Sequence, residues 1–210
     1  SLDDWLTAML PADLYARSAS DAVAFDAADR AAIARVPGVA RVEFMRATSI
    51  VLDKAAPRVT LLARDIDPRD PGGRLALVES APAPATDAPP AWISEAVADA
   101  KAARPGDRIT VPIGGRDVSF SVAGIWRDYV RQQGAIVVER SRYVALTGDD
   151  AVNEVALWLA DGADVGRIRD AIDTIAGGAS QLTIATPADL RRLSLAAFDR
   201  TFAVTYALAA

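Results

Sequence analysis

Apolar and polar residues alternate from Glu154 to Leu159 (Glu-Val-Ala-Leu-Trp-Leu), which predicts a strand. After the Asp161-Gly162 turn the period changes. Val165, Ile168, Ile172 and Ile175 fall at spacings of three and four, placing four branched side chains on one helical face, and Gly177-Gly178 stops that helix. Gln181 to Ala185 reads as a second strand and completes a βαβ unit. The first third has the same grammar. Asp13 to Ala19 reads as a strand, Asp26 caps a helix through Val36, and Pro37-Gly38 ends it. Val39 to Leu52 and Pro57 to Ile66 are rich in Val, Ile, Leu and Thr, and Asp53 to Ala56 is short enough to join them as a hairpin. The βαββ and βαβ halves can pair into a split βαβ sandwich of the ferredoxin-like kind, which makes the middle of the chain an insertion.

That middle starts in the turn-rich stretch Asp67 to Gly73 and contains Ala81 to Pro90, whose prolines predict an extended, exposed strap. Ile93 to Ala103 reads as a helix. Arg108 to Trp126 is the clearest hairpin, turning at Gly114-Gly115. A two-residue turn there pairs Ile113 with Arg116, Val111 with Val118 and Ile109 with Phe120, which sets the apolar pairs on one face. Ala135 to Glu139 is a further strand, so the insertion is a small β-rich lobe. The last segment opens on Thr186-Pro187-Ala188-Asp189, a Thr cap with Pro at the first helical position. Leu195, Phe198, Phe202 and Tyr206 continue at helical spacing, and Ala203 to Ala210 carry no charge, a pattern that points toward a membrane. The chain opens at Ser1 without an initiator Met or signal peptide, and no apolar run reaches the roughly 18 residues of a membrane span. It reads as an excised piece.

Composition removes several chemistries. The sequence has no histidine and no cysteine, so histidine triads, thiolate nucleophiles, zinc-thiolate sites and disulfides are excluded. A formal charge of -5 with no Lys/Arg run argues against nucleic acid as a partner. Of the 23 basic residues only Lys54 and Lys101 are lysine, a bias of genomic composition more than of chemistry. Paired carboxylates can hydrolyse glycosides without histidine, so Asp3-Asp4, Asp149-Asp150 and Asp65/Asp67/Asp70 are the candidates for such chemistry. Acidic residues in turns are ordinarily solvated caps. Asp65-Ile-Asp67-Pro-Arg-Asp70 also invites calcium, but it lacks the glycine and the closing glutamate of an EF-hand loop. No cofactor or metal is expected. The best candidate contact surface is Trp126, Arg127, Tyr129 and Arg131, in a segment that joins two strands and mixes aromatic rings with guanidinium groups. The competing reading makes Trp126 and Tyr129 core residues and pairs Arg127 with Asp128 across a loop. Trp5, Trp92 and Trp158 read as packing residues.

Three stretches resemble a known family. Arg104-Pro-Gly-Asp-Arg-Ile-Thr-Val followed by Val118-Ser-Phe-Ser-Val-Ala-Gly-Ile-Trp-Arg-Asp-Tyr is similar to a passage in the small β-rich lobe, called Sabre, of the periplasmic domains of FtsX/MacB-like ABC transporter permeases. Ala135-Ile-Val-Val-Glu-Arg-Ser-Arg-Tyr resembles the strand and helix start that follow it there, and Phe198 to Leu208 resembles the approach to the second membrane helix. The resemblance implies an α+β domain of two lobes: a porter-like lobe from residues 1–66 and 151–186, a Sabre-like insert at 67–150, and a helix at 187–210 leading to a membrane span. It implies a non-catalytic domain on the extracytoplasmic, periplasmic face of the bacterial inner membrane. The implied partners are a cytoplasmic ABC ATPase subunit, a second permease protomer and a lipid, lipoprotein or envelope protein as cargo or contact. A free-standing small-molecule sensor of ferredoxin-like fold is the alternative, and a carboxylate hydrolase the more distant one.

Overall fold

The computed structural model describes residues 2–20, 23–82, 87–178 and 181–196. A helix α1 (Leu2–Met9) precedes β1 (Leu14–Ser18), α2 (Ala27–Ala34), β2 (Val39–Ile50) and β3 (Val59–Arg64). The middle contributes β4 (Leu77–Ser80), β5 (Pro90–Ser94), α3 (Glu95–Lys101), β6 (Arg108–Ile113), β7 (Arg116–Trp126), β8 (Ala135–Glu139) and α4 (Arg140–Thr147). The chain returns through β9 (Glu154–Leu159), α5 (Val165–Ile175) and β10 (Leu182–Ala185), and a last helix, α6, covers residues 187–196. The fold is α+β.

Local rules place the end elements. Asp26 and Asp29 form a reciprocal capping box at α2, with the Asp29 N–H 2.8 Å from Asp26 Oδ1 and the Asp26 N–H 3.1 Å from Asp29 Oδ2. Thr186 and Asp189 repeat this at the start of α6 (3.2 and 3.0 Å). Gly38 takes φ +94 where the chain leaves α2, and a Cβ there would stand 3.0 Å from Ala163 Cβ and 3.1 Å from Ile168 Cδ1. That close approach lets β2 enter the sheet directly beneath α5. The hairpin β6–β7 has the register drawn from its sequence: Ile113 opposite Arg116, Val111 opposite Val118 and Ile109 opposite Phe120.

Among the described residues ten strands form one sheet, ordered β10-β1-β9-β2-β3-β8-β5-β7-β4 with β6 beside β7. β2 is the strand both regions share. Its residues Val39 to Met45 pair antiparallel with β9, and Met45 to Ile50 pair antiparallel with β3. At the chain's two ends, α2 and α5 lie on one face of the sheet over a core that includes Leu14, Ile33, Val155, Leu157, Ile168 and Ile172. In the middle, both faces are buried. Leu61, Ile93, Phe120 and Ile136 face one core with Tyr143, while Leu62, Trp92, Trp126 and Val137 face another.

Two sequence expectations change here. The helix expected from Ile93 begins at Glu95, because Ala91, Trp92 and Ile93 pair with β8 and are buried as strand residues between two cores. The strap expected over Ala81 to Pro90 is flanked by β4 and β5, and Pro90 already belongs to β5; residues 83–86 lie outside the described residues. Of the expected apolar stripe on the last helix, Phe198, Phe202 and Tyr206 also lie outside them.

Candidate functional site

Trp126 ends β7 and is 3% exposed, packed with Leu62, Leu75, Trp92 and Val137. Its indole Nε1 is buried without a partner among the described residues. This corrects its place on the contact surface: β7 turns its last ring inward, and the loop that follows carries the remaining three residues. Arg127 forks onto Glu95, the first residue of α3, with Nε 2.9 Å from Oε2 and Nη2 2.8 Å from Oε1. That hydrogen bond holds the Glu95 carboxyl below its ordinary range and pushes the Arg127 guanidinium up. Arg127 does not pair with Asp128. The Asp128 carboxylate instead accepts the Val130 N–H (2.9 Å), the Arg131 N–H (3.2 Å) and Arg131 Nη1 (3.2 Å), closing an Asx-type turn. Tyr129 is left 42% exposed at the tip, beside Val130 at 49%.

The loop is held from outside by α1, a helix that sequence reasoning passed over. Trp5 Nε1 donates to the Arg127 carbonyl at 2.9 Å, and its ring meets Tyr129 edge-on with centroids 5.4 Å apart and planes at 84°. Leu6 is buried beside it in sequence. On its other side α1 is tied to α6: Arg191 Nη2 donates to Thr7 Oγ1 at 3.0 Å, and Arg191 Nε lies 3.2 Å from Asp3 Oδ1. Thus α1 bridges the last described helix and the exposed loop of the middle region. The sequence signal for α1 was the acidic pair Asp3-Asp4 ahead of an apolar run, which suits the positive end of a helix dipole. Just after α1, the Ala12 N–H donates to Tyr15 Oη at 2.9 Å, and burial pushes the Tyr15 hydroxyl up to about 12.

Of the other acidic candidates, Asp149, Asp150 and Asp67 have structural partners. Asp149 Oδ2 accepts from Arg46 Nε (3.1 Å) and from the Tyr143 hydroxyl (3.0 Å), while Asp150 pairs with Arg30 of α2 and its carbonyl accepts from Arg140 of α4. Next to them the Asn153 amide accepts the Ala47 N–H at 2.7 Å and donates to the Ala47 carbonyl at 2.8 Å. The 149–153 segment therefore ties the end region to the middle at the point where β2 passes between them. Asp67 accepts from the Arg69 backbone and side chain, and with Asp65 and Asp70 it lines a cleft of about 540 Å³. Among the described residues no three acidic side chains are grouped so as to hold a metal ion, and no helix is long and apolar enough to cross a membrane.

No family model matches the chain. Over 90 residues it is 34% identical to an uncharacterized ABC transporter permease protein of Mycobacterium tuberculosis, a match that covers 43% of this chain and 10% of that protein. The chain thus corresponds to about a tenth of that relative's length. Among solved structures, the periplasmic region of MacB from Actinobacillus actinomycetemcomitans matches with a TM-score of 0.55 and 14% identity, covering 90% of this chain and 94% of that one. The extracellular domain of the noncanonic ABC-type transporter YknZ from Gram-positive bacteria gives a TM-score of 0.49 at 15% identity, over 83% and 99% of the two chains. The resemblance read from the residues stands on these findings: this chain has the fold of the MacB periplasmic region, and in part of its sequence it is similar to an ABC transporter permease.

Proposed function

We propose that this chain is the extracytoplasmic domain of an ABC transporter permease, and that it passes movement of the membrane-proximal chain ends to a contact surface on its middle region. The observation that carries this reading is α1, which holds Arg191 of α6 on one side and the Arg127–Tyr129 loop on the other. A helix held on two sides by specific contacts can carry a displacement from one side to the other, provided the contacts survive the movement. In this reading the division into a porter-like lobe (1–66 and 151–186) and a Sabre-like insert (67–150) describes the two bodies whose relation matters. The MacB-like fold supports it, as does the permease likeness of part of the sequence.

The surface made by Arg127, Tyr129 and Arg131, with Trp5 behind it, is the proposed contact for a lipid, a lipoprotein or an envelope protein. Exposed Tyr beside guanidinium groups gives such a surface both apolar area and hydrogen-bond donors. A cytoplasmic ATPase subunit and a second permease protomer are the proposed partners, and ATP hydrolysis lies in the former. Two readouts on the full-length protein test the proposal. A Val130→Cys variant should react with a membrane-impermeant maleimide from the outer side of intact inner-membrane spheroplasts, and labelling only after lysis would overturn the location. Native mass spectrometry after incubation with a detergent extract of the cell envelope should show a retained species that Tyr129→Ala removes; a species retained equally by the variant would move the contact elsewhere.

A further inference from the structure

The loop that carries Tyr129 spends its charges on itself. Arg127 is forked onto Glu95, and Arg131 is held by an Asp128 carboxylate whose side chain is fully buried. What the turn leaves outward are Tyr129 and Val130, 42% and 49% exposed. The position of this tip follows from α1. The Trp5 ring meets Tyr129 with centroids 5.4 Å apart. Trp5 is one turn from the start of α1, about 5 Å along its axis, so the Tyr129 ring stands on the order of 10 Å from the first residue of that helix. Asp3 and Thr7, one turn apart on the opposite face of α1, hold Arg191 of α6. Five residues later α6 reaches Ala196, about 8 Å along its axis, and on the way it passes Leu193 and Leu195, 62% and 41% exposed. Among the described residues, four of the seven exposed large apolar side chains therefore belong to the two elements that flank α1.

If the chain ends are membrane-proximal, as in the reading above on which this inference rests, α1 brings the loop tip down with them. A Tyr beside an aliphatic side chain, clear of unpaired charge, suits the boundary between water and lipid. We propose that the Arg127–Arg131 loop rests in the headgroup layer of the bilayer, with Tyr129 and Val130 among the ester groups. The partner of this site is then the lipid surface itself. Because both guanidinium groups of the loop are already paired, the contact is made by apolar area and needs no anionic lipid.

A nitroxide at Gln132→Cys, an exposed site that leaves Tyr129 and Val130 in place, reads the contact in the full-length protein in nanodiscs, with any cysteine outside this chain replaced by serine. A second label at Leu195→Cys reads the chain end. Collision with oxygen, which concentrates in lipid, is compared with collision with a nickel chelate, which stays in water. Both labels should show the oxygen enhancement of a headgroup-level site, in phosphatidylcholine as in phosphatidylglycerol. Tyr129→Ser with Val130→Ser should abolish the enhancement at Gln132 and spare it at Leu195; both substituted side chains are exposed, so the core is left intact. Enhancement at Leu195 without enhancement at Gln132 would overturn the loop contact and leave the membrane-proximal ends standing. Absence at both labels would overturn the reading beneath it as well. Enhancement at Gln132 that needs phosphatidylglycerol, or that survives the double substitution, would show that Tyr129 and Val130 do not make the contact.

Discussion

The end region and the middle region share one sheet but bury it differently. In the end region the sheet is covered by α2 and α5 on one face, and its strands carry apolar residues at alternate positions: in β9, Val155 and Leu157 are buried while Glu154, Ala156 and Trp158 are only partly so. In the middle region β5 and β8 lie between two cores, and Ala135 to Val138 are buried without interruption. One-sided burial leaves a periodic trace and two-sided burial leaves an apolar run. A strand clamped on both faces also has less freedom to shift than one covered on a single face.

Substitutions in the two regions sharpen this contrast. The largest effect is expected at Trp92, which is 1% exposed in the middle core: Trp92→Ala should cost about 3–5 kcal/mol in urea denaturation. Ile172→Val in the one-sided core removes a single methyl and should cost about 1 kcal/mol. A reversal of that order would break the comparison. At the joint, Asn153→Ala leaves the Ala47 N–H and carbonyl without their partners and should cost about 2–3 kcal/mol. It should also raise hydrogen exchange at Ala47 while sparing Leu157, which is deep in the end core. Asp26→Ala removes one cap of the end region and should cost about 1 kcal/mol.

A further effect is a dependence on pH. Tyr15 has a folded value near 12 against about 10 in an unfolded chain, so the folded state holds its proton more tightly. The stability this contributes is fully present below pH 10 and is lost as pH rises through 12. Tyr15→Phe should flatten the fall in melting temperature between pH 10 and 12, and an unchanged fall would place its cause elsewhere.

The sequence showed the end region well because α2, α5 and the flanking strands obey local rules of capping and period. The β6–β7 register was equally legible, since Gly114-Gly115 fixes the turn and every pairing follows from it. The start of α3 was misplaced because Ala91-Trp92-Ile93 has no period to separate a buried strand from a helix. The proposed contact surface was half legible. Aromatic and basic residues marked the 126–131 segment, but nothing in the pattern tells which way the last residue of β7 faces, so Trp126 reads as surface, and nothing tells that Trp5 packs against this loop. The clasp made by α1 depends on contacts 122 and 184 residues apart in the chain, and no local pattern records them.

The central claim is that α6, α1 and the Arg127–Tyr129 loop move as one body. Distance measurement by dipolar electron spin resonance addresses it, using labels at Val130→Cys and Leu193→Cys in a chain with no native cysteine. Both sites are exposed, at 49% and 62%. In the full-length protein the distribution should be narrow and unchanged between nucleotide-free and ATP-bound states, and Trp5→Ala should broaden it in both. A distance that shifts with nucleotide while Trp5 is intact, or one that stays narrow after Trp5→Ala, would contradict the clasp.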